Sequence, residues 1–304
     1  MIRALLVLIS ECVLCLVIAK PIEFACSEKI CQDNELAQQP TELQNWSAPG
    51  LQVSYAKGLD GGGTSFGLDI IRFVRNNLGV RRFARCFEFC AGPGFIGFTL
   101  HGLGICATLA LADVNPVNVD LMRRTVLQNH LGAYVSVYLS NGLDDIPETE
   151  HGRWDLAVSN PPHFVSAEAW QRRGHTSKFL PLAVDTNWAL HKRFYSSISK
   201  FLLPRAHVVF MENSAGSSPK DFLEFITPPL EVATIDRMRT ICGRSAIPFW
   251  IMHSVNFPEW WLHQTLQPEC ELRWRPSGRG LLMQPLACGG RRLETLLRML
   301  NMTC

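Results

Sequence analysis

One stretch, Phe87-Glu-Phe-Cys-Ala-Gly-Pro-Gly-Phe-Ile-Gly-Phe98, constrains this chain more than any other. Phe83, Phe87 and Phe89 read as a buried strand, because aromatic residues at this density suit a pleated, covered surface. The strand ends in an acid, turns through glycines and opens an apolar helix over residues 95–103. Gly92 and Gly94 permit a tight turn and let a ligand approach bare backbone. The first N–H groups of a helix have no partner within it, so a glycine turn feeding a helix is a ready site for a nucleotide-like ligand.

The rest of the chain repeats this alternation. Strands are expected near 106–112, 134–139, 154–159, 206–211, 230–235 and 249–255, with helices over 69–78, 116–130, 186–201 and 221–225. Strands separated by helices imply a mostly parallel sheet. The fold class is therefore α/β, a Rossmann-like seven-stranded mostly parallel sheet with helices on both faces. The expected domains are an N-terminal hydrophobic segment and linker over 1–50, a catalytic domain over 51–256 and a C-terminal extension over 257–304. Residues 21–50 read as a linker or short helices.

At 304 residues, 47% hydrophobic and 18% charged, the chain can bury a sizeable core. A formal net charge of +2 gives no broad basic field, so charge alone does not point to nucleic acid. The odd count of 11 cysteines, with Cys86, Cys90 and Cys106 in strand-like runs, argues for reduced core thiols rather than a disulfide framework. Cys12, Cys15, Cys26 and Cys31 have metal-like spacing, but the first pair lies in an apolar run where a charged site is costly; no metal is expected. That run, Ala4 to Ala19 with Glu11 inside it, reads equally as a signal peptide, a membrane anchor or a core element. The expected location is cytoplasmic, with membrane association through residues 1–20 as the alternative.

Gly92-x-Gly94-x-x-Gly97 is the dinucleotide fingerprint, and Asp113 ends the next strand, where a carboxylate can bind ribose hydroxyls. Both NAD and S-adenosylmethionine need those features. Two others separate them. Glu88 would repel a pyrophosphate but suits a ligand carrying an ammonium and a sulfonium. Asn160-Pro161-Pro162 falls at the end of the fourth strand, and ligands of parallel sheets bind at the carboxyl ends of strands.

These residues resemble the class I S-adenosylmethionine-dependent methyltransferases of the Asn-Pro-Pro-aromatic group, which includes the release-factor glutamine and small-domain rRNA guanine enzymes. Glu88-Phe-Cys-Ala-Gly92-Pro-Gly94 matches the group's glycine loop, with Cys90 replacing its first glycine. Asp113-Val-Asn-Pro116 matches the ribose-binding turn and Asn160-Pro161-Pro162-His163 the target-nitrogen motif. The resemblance implies S-adenosylmethionine as cofactor, bound by Glu88, Cys90, Gly92, Gly94, Asp113, Asn141 and Asn160. It implies catalysis by Asn160, Pro161, Pro162 and His163, with methyl transfer to an amide or exocyclic amine of a protein or RNA; a small-molecule acceptor stays open. His163 departs from the group, which usually has Tyr or Phe at that position to stack on the target.

Other readings stay open beside this one: a cofactor-binding module without turnover, and an NAD-dependent oxidoreductase. Thr64 or Ser65 in the glycine-rich loop, Arg172, Arg173, His175 and Lys178 after the motif, and Glu212-Asn213 at the end of the fifth strand are further candidates to line the crevice. His191, Lys192 and Arg193 read as the solvent face of a helix, and residues 291–300 as a closing helix.

Overall fold

The computed structural model describes residues 43–57, 59, 63–79, 82–172, 180–242, 245–258, 271–277 and 280–287. Its centre is a seven-stranded sheet of β3 (Phe83–Phe89), β4 (Cys106–Asp113), β5 (Val135–Leu139), β6 (Trp154–Ser159), β7 (Leu202–Asn213), β8 (Leu230–Cys242) and β9 (Ser245–Asn256). The spatial order is β5-β4-β3-β6-β7-β9-β8. The pairs from β5 through β7 are parallel, and β9 runs antiparallel to both β7 and β8. The expected sheet is thus present, with β7, β8 and β9 longer than the apolar runs alone suggested.

Side chains alternate between two cores. Cys86, Leu109, Leu111 and Leu156 face one side, among Ile70, Val74, Ile96 and Phe98. Phe87, Phe89, Ala110 and Ala157 face the other, among Phe194, Tyr195 and Ile198. Burial on both faces is why these strands are apolar throughout rather than at every second position. Phe87 stacks on Trp154 with centroids 3.9 Å apart, and Trp154 on Phe201 at 4.7 Å. Helices α1 (Gly63–Asn77), α2 (Phe95–Gly102) and α3 (Pro116–Gln128) cover the first face, and α6 (Ala189–Ser197) the second. The remaining helices, α4 (Ala167–Gln171), α5 (Leu180–Ala183) and α7 (Lys220–Leu223), are short.

Three expectations need correcting. First, Cys86 and Cys106 are joined as a disulfide rather than reduced. Neighbouring parallel strands turn both side chains into the same core, and their Cα atoms lie 5.8 Å apart, within bridging range. Second, the helix expected over 186–201 is interrupted. Asn187 and Trp188 take left-handed backbone, which separates a short 3-10 turn from α6. Third, the end of the expected linker is a strand, β1 (Leu43–Ala48), paired with β2 (Leu51–Ala56). The extension contains a second hairpin, β10 (Glu271–Ser277) and β11 (Gly280–Ala287).

The first hairpin packs on the sheet domain through side chains far away in sequence. Trp46 and Tyr55 meet Phe95 edge-on, with centroids 5.1 and 5.4 Å away. The buried Ser54 N–H donates to Thr125 Oγ1 at 2.9 Å, and Gln128 and Asn129 both donate to the Gln52 carbonyl. Residues 1–20, the four early cysteines and residues 291–300 lie outside the described residues. No helix among the described residues is long and apolar enough to cross a membrane.

Thr125→Val keeps the shape of the side chain but strands the Ser54 N–H without a partner. The expected cost is about 1–3 kcal/mol, read as a lower urea midpoint at unchanged slope.

Candidate active site

The carboxyl ends of β5, β4, β3 and β6 lie side by side, so the residues following them share one edge of the sheet. Asn141, Asp113, the Cys90–Gly94 loop and Asn160 are brought together in this way, as the sequence implied. The β3–β6 register pairs Phe89 with Ser159, and Ser159 Oγ donates to the Phe89 carbonyl at 2.7 Å. Asn160 therefore emerges beside Cys90.

The glycine loop is held by two acids. Glu88 is buried, and its Oε2 accepts the Gly97 N–H at 2.7 Å. Burial lifts its pKa to about 8; hydrogen bonds from the Gly97 and Ile96 amides work against the rise, and Asp113 adds to it. Of the two roles open to Glu88, fixing the loop is the one its hydrogen bonds make. Gly97 is obligatory for this contact, because a Cβ there would lie 2.8 Å from Glu88 Oε2 and from Leu111 Cδ2. Asp113 Oδ2 accepts the Gly92 N–H at 2.7 Å, while Oδ1 accepts the Asn115 N–H at 2.9 Å. Asn115 in turn caps α3, with Pro116 in its first turn.

Backbone geometry explains the loop's composition. Gly94 has φ +84°, and a Cβ there would meet the Phe98 ring at 2.8 Å. Cys90 has φ +51° although it is not glycine. The first glycine of the resembled loop thus sits where left-handed backbone is required, and Cys90 adopts that backbone at a cost of about 1 kcal/mol. Burial raises the Cys90 thiol well above its ordinary pKa, and neighbouring acids add to the rise, so the thiol stays protonated.

Asn160 Oδ1 is buried and accepts no hydrogen bond from any described residue. Buried amide oxygens are usually paired, so this one has acceptor capacity that the described residues leave unused. Asn141 is differently engaged. Its Oδ1 and its carbonyl accept from Arg193, which also pairs with Asp144. Arg193 is exposed, as expected of a solvent face, and also braces this loop.

The largest departure from the sequence reading lies behind His163. His191, expected on a solvent face, is 1% exposed. Its Nδ1 contacts Asp185 Oδ2 at 2.7 Å and its Nε2 contacts Glu212 Oε1 at 2.9 Å. The other oxygen of Glu212 contacts His163 Nδ1 at 3.1 Å. Burial alone would lower the His191 pKa, but the Glu212 and Asp185 carboxylates outweigh it and hold it at about 9. Burial opposes ionisation of Glu212 and Asp185 too, yet their histidine contacts hold both below the usual range. The Asn-Pro-Pro loop joins this cluster through backbone: the Phe164 N–H donates to the Ala183 carbonyl and the Asp185 N–H to that of Phe164. Sequence reasoning missed Asp185 and His191 because their pairing is visible only once β7 and α6 are packed. Asn213 is a turn residue, its Oδ1 accepting the Ala215 N–H at 2.8 Å. The side chains of Thr64 and Ser65, and residues Arg173, His175 and Lys178, lie outside the described residues; Arg172 is exposed.

Residues 70–179 match the methyltransferase small domain family, over a little more than a third of the chain. The span runs from α1 past the Asn160 motif. Curated protein sequences yield no match. Among solved structures, the 16S rRNA N2 methyltransferase RsmC of T. thermophilus, in complex with AdoMet and guanosine, is 14% identical, with TM-score 0.49. The likeness covers 71% of this chain and 50% of that one. M. jannaschii TYW2 in complex with AdoMet is 12% identical, with TM-score 0.47, over 73% and 89%. The tRNA methyltransferase TrmK of B. subtilis is 9% identical, with TM-score 0.45, over 67% and 71%. The fold is Rossmann-like, and residues 70–179 within it are similar to a family of S-adenosylmethionine-dependent methyltransferases.

The two raised groups set a pH dependence. Folding holds a proton on Glu88 between pH 4.5 and about 8, and one on His191 between pH 6.5 and about 9. Both contributions are full at low pH and are lost as pH rises through the folded-state value. Urea stability is therefore expected to fall from pH 6.5 to pH 9, with His191 accounting for up to about 3 kcal/mol; below pH 6.5 His207 and His253, both held below the usual imidazole range by burial, oppose the Glu88 trend. Glu88→Gln should remove the Glu88 share of the fall, which ends near pH 8, and leave the His191 share, which runs on to about pH 9.

Proposed function

We propose that this chain is an S-adenosylmethionine-dependent N-methyltransferase whose acceptor is a planar –NH2 group, an amide or an exocyclic amine, on a protein or RNA. The observation that carries this reading is the buried Asn160 Oδ1 beside the glycine loop, which has no partner among the described residues.

S-Adenosylmethionine supplies a sulfonium-bound, electrophilic methyl group. Gly92 and Gly94 suit close approach of its methionine part, since neither carries a Cβ to obstruct it. In this reading Asp113 would hold the ribose, and Asn141, at the next strand end, would meet the adenine. On the acceptor side, Asn160 Oδ1 and the Pro161 carbonyl each accept a hydrogen bond from one –NH2 group. Two acceptors in a stiff loop fix the plane of that group, and with it the direction of the nitrogen lone pair. Catalysis by these residues is positioning for in-line transfer, worth several kcal/mol of barrier. A cofactor-binding module without turnover would keep the same glycine loop, so the two readings separate only on transfer. The chain spans half the length of RsmC, and acceptor choice is not carried over from any of these structures.

Two measurements test the proposal. S-Adenosylhomocysteine should bind the native protein in calorimetry, and Asp113→Asn should weaken it about tenfold through the lost ribose contact. Tritium from labelled S-adenosylmethionine should then enter total RNA or a protein extract, assigned by nuclease and protease digestion. Asn160→Ala is expected to lower that transfer at least 100-fold while sparing cofactor affinity. A folded protein that binds S-adenosylhomocysteine but labels neither pool would favour the non-catalytic module.

A further inference from the structure

We propose that Asp185, His191 and Glu212 form a buried relay that fixes His163 with Nδ1 protonated and Nε2 open, and that Nε2 takes the proton released by the acceptor nitrogen. The inference rests on the methyltransferase reading above and assigns its proton pathway.

Hydrogen-bond chemistry determines the tautomers. A carboxylate can only accept, so every ring nitrogen meeting one must donate. Both nitrogens of His191 meet carboxylates, Asp185 at 2.7 Å and Glu212 at 2.9 Å, so His191 is an imidazolium locked between them. Its pKa of about 9 agrees with that state. Glu212 is pinned at one oxygen by His191 and turns the other to His163 Nδ1 at 3.1 Å. Nδ1 therefore carries the hydrogen, and in the neutral ring the lone pair resides on Nε2. No described residue hydrogen-bonds Nε2, and the His163 side chain keeps 14% exposure. His163 is three residues beyond Asn160, in the loop that follows the same strand end.

The trio of Asp185, His191 and Glu212 carries one net negative charge when His191 is protonated. A proton arriving at Nε2 turns His163 into an imidazolium facing the Glu212 carboxylate, and the buried cluster becomes neutral. Tyr195 and Cys90, the other titratable groups near Glu212, are held protonated by burial and add no charge. Phe249, edge-on to His163 at 6.0 Å, and Phe222, stacked on His191 at 4.5 Å, add none either. As the acceptor nitrogen bonds to the methyl carbon, the carbon–sulfur bond breaks with its electron pair left on sulfur. The N–H proton passes to Nε2 and later to solvent. An aromatic hydrocarbon at position 163 could stack on the target but could not take this proton.

The relay assigns separate roles. His163 is the catalytic residue. Glu212, His191 and Asp185 are positioning residues, because they act only through its ring. Long-range nitrogen–proton NMR of the full chain labelled with ¹⁵N-histidine tests the tautomers without an acceptor. His163 in its neutral form should show a protonated Nδ1 and an unprotonated Nε2, and His191 should stay doubly protonated at pH 7.5. Glu212→Gln should abolish the His163 preference. An Nε2–H tautomer in the native protein, or an unchanged tautomer in Glu212→Gln, would overturn the relay. Tritium transfer into the responding pool tests the proton step. His163→Phe, which keeps the ring and the packing, should lower transfer about 100-fold and remove the acid limb of the rate–pH profile, with S-adenosylhomocysteine affinity unchanged. Retained rate in a folded His163→Phe protein would refute the base role. Absent cofactor binding in the native protein would instead refute the underlying methyltransferase reading, and the NMR result would stand apart from it.

Discussion

A carboxyl group buried at the end of β3 holds the candidate site together. Glu88 accepts the Gly97 N–H from the first turn of α2, so the strand and the helix it feeds are clasped across the glycine turn. A second clasp, from Asp113 to Gly92, ties the same turn to β4. Between them the loop is closed from both sides, and its backbone can adopt the left-handed angles at Cys90, Gly92 and Gly94. The buried acid is tolerable because helix N-terminal amides supply the donors that water would otherwise give. Gly97 makes the approach geometrically possible, since any side chain there would occupy the space of the carboxylate.

The second organising cluster works by charge rather than by backbone. Glu212 is buried on β7 with both oxygens committed to histidines, one to His191 and the other to His163. A lone buried carboxylate on β7 would be strongly disfavoured; an imidazolium on α6, itself balanced by Asp185, makes it stable as an anion. The interruption at Asn187 and Trp188 belongs to this arrangement. It places Asp185 ahead of the start of α6, where its oxygens accept the Leu190 and His191 N–H groups as well as the ring. The loop carrying His163 is stitched by backbone hydrogen bonds to that same segment. The motif at one strand end is thus coupled to the helix behind it.

Much of the first cluster was legible in the sequence. An acid, a run of spaced glycines and an apolar helix follow one another within twelve residues, and the contacts they make are local. Strand ends carrying Asp113 and Asn160 could be placed because buried parallel strands are short, uniformly apolar and end abruptly in polar residues. The second cluster was not legible. His191 sits between Leu190 and Lys192 in a helix with charged neighbours, and nothing in that local pattern distinguishes a buried cation from a solvated one. The hairpin of β1 and β2 was missed for a related reason: its polar positions are satisfied by Thr125, Gln128 and Asn129, more than seventy residues away.

By itself, then, the sequence determined the α/β alternation, the glycine turn and the row of polar residues at the strand ends, because these follow from residue type and short spacing. Only the tertiary structure decided that Cys86 meets Cys106, that Arg193 braces Asn141, and that Asp185, His191, Glu212 and His163 form one chain of hydrogen bonds. Those pairings depend on which strands become neighbours and which helix face is turned inward. The order β5-β4-β3-β6-β7 sets that neighbourhood, and it is a property of the closed sheet rather than of any segment within it.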